Sequence, residues 1–230
     1  MRPRATGSAG AGESAPARRA RQPRGAQLTA IKSVLFLACL TPFAHLVWGV
    51  ASDALGANPV EAVTRSLGWW TLFLLCATLS VSPLRRLTGA HWLVRLRRML
   101  GLFAFFYAAL HFITFIWLEH WFDLAEMAKD IVKRPFITVG FTAFVLLIPL
   151  AATSTDAMQR RLGRSWSRLH RLVYVIGVLG VVHFWWLVKR DVTDPAMFAA
   201  AMTLLLGLRL LWTVRDRSSA SRAASAGRIV

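Results

Sequence analysis

A chain of 230 residues that is 56% hydrophobic, with its apolar residues gathered into blocks, is not a soluble domain with an amphipathic surface. The formal net charge of +17 would suit a nucleic-acid binder, but here the arginines sit between the apolar blocks, so nucleic acid is excluded as a partner and membrane lipid takes its place. Two cysteines make no disulfide framework, and the sequence has no CxxC, no GxGxxG before a helix, no P-loop, no HExxH and no evident internal repeat.

Residues 1–30 are Ala, Arg, Gly and Pro with almost no large apolar side chain, and are expected to be a disordered basic tail. No apolar core precedes Ile31, and the block that begins there is long enough to be a retained span, so a cleaved signal is not expected. The Arg18-Arg19 pair reads as a positive anchor and not as a twin-arginine signal.

A span needs about 20 mainly apolar residues to cross roughly 30 Å of hydrocarbon. Six stretches qualify: Ile31–Ala51, Leu67–Leu84, Met99–Leu118, Phe136–Ser154, Leu169–Val188 and Ala196–Val214. The fold class is therefore all-α, a polytopic membrane bundle of six helices. Its domain runs over residues 31–214, and a polar, mobile tail is expected over 215–230. Cys39 and Cys76 fall inside spans as small apolar residues. Arginines crowd the segments before the first span, between the second and third, between the fourth and fifth, and after the sixth; Arg85, Arg86, Arg95, Arg97 and Arg98 form one such group. The opposite loops hold most of the acids. The positive-inside rule then puts both termini in the cytoplasm.

Polar residues at membrane depth are costly and face the bundle interior. Four of six histidines, His45, His111, His170 and His183, lie in the expected spans; His91 and His120 fall in a loop and at an interface. His111 is twelve residues into its span from Met99, and His183 fourteen into its own from Leu169. At about 1.5 Å per residue both stand roughly 20 Å from the arginine-rich boundary, so they can ligate one iron from opposite sides. His45 lies at a similar depth. His170 belongs to the inner edge and, on an ideal helix, points about 140° away from His183 unless a tightened turn near Gly177 and Gly180 intervenes. Spread imidazoles with no mid-span Asp or Glu suit haem better than zinc or copper, and bis-imidazole ligation suits electron transfer. Phe103, Phe105, Phe106, Phe112, Phe115 and Phe184, with Gly101, Gly177 and Gly180, fit a flat apolar cofactor.

The segments "LTPFAHLVWGV" (40–50), "RRMLGLFAFFYAALHFITF" (97–115), "RPFITVGFTAFVLL" (134–147) and "TSTDAMQRRLGRSWSRLHRLVYVIGVLGVVHFWW" (153–186) resemble the MsrQ (YedZ) family of haem-binding membrane subunits, within the ferric-reductase-like transmembrane group. The resemblance implies a haem b electron-transfer subunit with one or two haems. It also implies that electrons pass from the quinone pool, or from a cytoplasmic flavin reductase, to MsrP, a periplasmic molybdopterin methionine-sulfoxide reductase. Substrate reduction would then belong to the partner. By the same resemblance His111, His170 and His183 are the haem ligands, and FMN is a further cofactor. The alternatives are a ferric-chelate metalloreductase of the same fold and a cofactor-free transporter that uses its histidines as relays. The acidic segment 118–130, with Glu119, Asp123 and Glu126, is the expected docking surface for the periplasmic partner.

Overall fold

The computed structural model describes residues 23–188 and 190–226; the expected tail lies outside them up to residue 22. Among the described residues all regular structure is helical, and six helices are long and apolar enough to cross a membrane. Between 11% and 44% of the most apolar window of each is buried within the protein. The remainder, including Leu37, Val50, Leu204 and Leu211, presents bare hydrocarbon outward, as lipid contact requires. The protein is a multi-pass membrane protein.

The first span is α1 (Gly25–Ala51), six residues longer at its start than expected. Pro42 lies inside it and cannot donate to the helical ladder. One step further on, the Tyr107 hydroxyl enters the gap. It accepts from the Phe43 N–H at 3.1 Å and donates to the Cys39 carbonyl at 2.7 Å, partners that an unbroken ladder would join directly. Tyr107 is fully buried, so this bridge ties the otherwise peripheral α1 to the core.

The second span, α2 (Pro59–Thr88), begins where its chemistry says it should. Asn58 caps it by accepting from the Glu61 N–H at 3.2 Å, Pro59 opens the first turn, and Gly89 ends it at φ +69°. Its Leu72, Leu75 and Leu79 form the centre of the bundle with Ala104 and Tyr107 of α3 (Val94–Thr114) and Ile176 of α8 (Leu172–Leu187). A π-helical turn, Phe115–Glu119, extends α3. Trp121 and Phe122 then adopt positive φ, 47° and 64°, and reverse the chain sharply. The segment expected to be an acidic loop becomes α4 (Leu124–Lys133), capped by Asp123, which accepts from the N–H groups of Ala125 and Glu126 at 3.0 Å. His120 pins the reversal, with Nδ1 at 3.0 Å from the Phe115 carbonyl and Nε2 at 3.2 Å from Asp130.

The fourth span is α5 (Pro135–Ala152). Two short helices follow, α6 (Asp156–Leu162) and α7 (Arg164–Leu169), joined at Gly163 with φ +49°. In the fifth span the helix tightens at His170 and Arg171, both right-handed helical in backbone, before continuing as α8. The sixth, α9 (Thr193–Ala226), carries the helix through the polar residues after 214, where a mobile tail was expected. Asp216 accepts from Arg86 of α2 at 2.7 and 3.0 Å, and the same guanidinium lies 4.9 Å over the Trp212 ring.

Candidate cofactor site

A cavity of about 330 Å³ lies between α2, α3, α5 and α8, with Ile131 of α4 closing one end. His111 from α3 and His183 from α8 enter it from opposite walls, their ring centres 6.2 Å apart and their planes at 77°. The equal depth read from the sequence thus becomes a contact distance.

Each imidazole is held by the same device. His111 Nδ1 lies 2.9 Å from the carbonyl of Thr64 on α2, and His183 Nδ1 lies 2.7 Å from the carbonyl of Phe136 on α5. A hydrogen bond to a carbonyl needs Nδ1 to carry the proton, which leaves Nε2 with a free lone pair. Four residues beyond each carbonyl is a glycine: Gly68 after Thr64, and Gly140 after Phe136. A Cβ on Gly140 would fall 2.6 Å from His183 Nδ1, and one on Gly68 would fall 3.2 Å from His111 Cε1. The ring lies against the bare backbone one turn along from its acceptor. This four-residue offset occurs once in each helix pair, α2–α3 and α5–α8, and is too short to register as a sequence repeat.

The donor set fits haem. An imidazole nitrogen lies about 1.1 Å from its ring centre and binds a transition metal at about 2.0–2.1 Å, so two rings facing one ion stand roughly 6.2–6.4 Å apart. The observed separation agrees. Among the described residues no cluster of three or more His, Cys, Asp or Glu is placed to hold a bare ion. Two imidazoles alone suit an iron whose other positions belong to a macrocycle. The walls are aromatic: Phe112, Phe141, Phe144 and Phe184 line them, and the Phe112 and Phe144 rings stack at 4.6 Å.

Other expected contributors lie elsewhere. His170 does not line this cavity. Its ring stacks on Trp166 at 3.9 Å, its Nδ1 sits 3.2 Å from the Trp166 carbonyl, and the Leu150 carbonyl and Arg97 are further neighbours. The phase argument against alignment with His183 assumed an ideal helix, and the tightened turn falls at His170–Arg171 and not near Gly177 and Gly180. His45 and His91 are exposed, on α1 and in a 3-10 turn. Phe112, Phe115, Phe184 and Gly180 line the cavity as expected, but Phe103, Phe105 and Phe106 do not. Gly177 serves packing: a Cβ there would meet Met202 of α9 at 2.7 Å. Of the three carboxylates expected to dock a partner, Glu119 lines the cavity, Asp123 caps α4, and Glu126 pairs with Lys129 at 3.0 Å.

Residues 67–181, which span both imidazole-bearing helices up to the turn before His183, match the family described as "Ferric reductase like transmembrane component". Curated relatives carrying the name "Protein-methionine-sulfoxide reductase heme-binding subunit MsrQ" align over most of the chain. The relative from Herminiimonas arsenicoxydans is 58% identical over 199 residues, covering 85% of this chain and 91% of its own length. That from Ralstonia nicotianae is 56% identical over 202 residues, covering 86% and 93%. That from Xanthomonas campestris pv. campestris is 49% identical over 208 residues, covering 88% and 94%.

Proposed function

The chain belongs to the MsrQ family of haem-binding subunits, and from that premise we propose that it carries electrons across the bacterial inner membrane through a haem b held by His111 and His183. The observation that carries this reading is the pair itself: two imidazoles on different helices, each with Nδ1 turned to a carbonyl, 6.2 Å apart in an aromatic cavity. Bound there, haem supplies a one-electron ferric–ferrous couple with both axial positions filled, which favours electron transfer over oxygen chemistry. The chain's own part is to fix both rings, exclude water with its phenylalanines, and keep the two faces of the membrane apart.

The arginine-rich end faces the cytoplasm on the positive-inside rule. Electrons enter there, from the quinone pool or a flavin reductase, close to His170. The FMN that the family resemblance implies would be met on charge grounds by the arginines of this end. The acceptor at the acidic end is a periplasmic MsrP-like molybdopterin enzyme, where methionine sulfoxide is reduced to repair oxidised proteins.

The test is a reduced-minus-oxidised spectrum and a haem-to-protein ratio on the purified chain, followed by reoxidation of the reduced haem by the periplasmic partner and methionine sulfoxide. A low-spin bis-imidazole spectrum and partner-dependent reoxidation are expected. Absence of a Soret band would leave a relay transporter. Faster reoxidation by ferric chelates than by the partner would favour a metalloreductase.

A further inference from the structure

We propose that Arg65 and Arg134 grip the carboxylate edge of the cofactor, so that haem sits with both propionates at the acidic end of the cavity. The inference rests on the haem reading above.

Apart from the two imidazoles, the ionisable groups lining the cavity are Arg65, Glu119 and Arg134, and all three stand at the acidic ends of their segments. Deeper in, the lining is Leu75, Leu147 and Ile176. A flat molecule with two carboxylates on one edge and hydrocarbon on the other meets an environment graded in the same way. The reverse orientation would drive unpaired carboxylates into an apolar wall.

The two arginines are also tied to the ligand-holding device. Arg65 follows Thr64, whose carbonyl orients His111. Arg134 precedes Phe136, whose carbonyl orients His183, by two residues. Each wall therefore offers one imidazole anchor and one guanidinium. Arg65 Nη1 meets the exposed Glu61 and Arg134 Nε meets the buried Asp130, each at 3.2 Å and one helical turn away. The Arg65 pair is exposed and weak, Asp130 is shared between Arg134 and His120, and each pair uses a single arginine nitrogen, leaving the rest of the fork for a carboxylate. Glu119 neighbours Arg134 and opposes a propionate placed there. Its neutralisation should act with the opposite sign to that of the arginines.

The experiment compares the full chain loaded with haem b and with haem dimethyl ester, which lacks free carboxylates. Its readouts are the rate of haem loss to apomyoglobin and the midpoint potential. With haem b, Arg65→Gln and Arg134→Gln should each speed loss several-fold and lower the midpoint potential, because removing a cation disfavours the form with one more electron. Glu119→Gln should raise the potential. In the wild-type chain, which needs no variant to fold, ester haem should leave faster than haem b. With ester haem the arginine substitutions should no longer change the loss rate. Equal acceleration by the substitutions for both haems, no acceleration for either, or equal retention of the two haems by the wild-type chain overturns the proposal. A chain that shows no Soret band with haem b overturns the haem reading and this one with it.

Discussion

Two levels of the bundle carry histidine, and only one of them is built like a ligand site. At the upper level α3 and α8 present His111 and His183, each bonded to a carbonyl 47 residues away in sequence and each laid against a glycine. Fourteen residues before His111 the same helix presents Arg97, and thirteen before His183 the chain presents His170. There the imidazole bonds the Trp166 carbonyl of its own turn, has the Leu150 carbonyl of α5 as a second partner, and stacks on Trp166 with no glycine against the ring. Arg97 neighbours Tyr174, whose ring lies 4.7 Å beneath the guanidinium of Arg209. The difference teaches that depth and residue type do not suffice. A histidine is poised to coordinate when a neighbouring helix fixes one nitrogen and vacates the space beside the ring.

The largest effect expected from this contrast is loss of cofactor. His111→Ala or His183→Ala should remove the low-spin haem signal from the purified protein, whereas His170→Ala should keep it; a His170→Ala chain without haem breaks the comparison. Next comes the glycine device. Gly140→Ala forces a Cβ against the His183 ring, and overpacking of this kind costs about 1–3 kcal/mol. Haem occupancy should fall and the ferric spectrum should shift. Gly68→Ala, with its contact at 3.2 Å, should do less, and Gly207→Ala, which meets nothing within 4 Å, should be silent. If Gly140→Ala and Gly207→Ala give the same spectrum, the device has no role.

A smaller effect is expected at the lower level. His170→Ala should slow haem reduction by the physiological donor while leaving reduction by dithionite unchanged; equal slowing of both would remove any entry role. The smallest effect concerns the exposed rim of α4. Glu126→Lys should reduce electron delivery by roughly 1.4- to fivefold at low salt, in line with about 0.2–1 kcal/mol for an exposed ion pair, and by less at physiological ionic strength. Stopped-flow reoxidation at two salt concentrations decides it, and a salt-independent change points to damage within the protein.

Much of this was legible before any coordinates. Six apolar blocks and alternating arginines yield the spans, since hydropathy acts over some twenty residues and tolerates error at the ends. The rise per residue places His111 and His183 at one level because the tightened turn at His170–Arg171 changes the rise of only two residues, by about 1 Å in all. The tightened turn at His170–Arg171 was not legible because it is a local event that an apolar, arginine-flanked run conceals. Helix α4 escaped because its cap, Asp123, and its inward face, Met127 and Ile131, are a short-range pattern inside a segment judged by charge. Gly68 and Gly140 were invisible because a glycine in a span is ambiguous until the ring that lies against it is known.

The division of the site between two helix pairs bears on how the molecule is made. No contiguous stretch of the chain holds both imidazoles with their carbonyl acceptors. In a chain entering the bilayer from its N-terminus, the hairpin of α2 and α3 completes one half early, yet His183 arrives only with the fifth span. A tetrapyrrole that arrived sooner would meet one imidazole and an open groove. Haem occupancy would then mark a chain whose insertion is finished, and the bound iron would fasten the first hairpin to the last-arriving wall, closing a long loop of membrane-embedded chain on top of the packing of Leu72, Leu75 and Leu79 against Ile176.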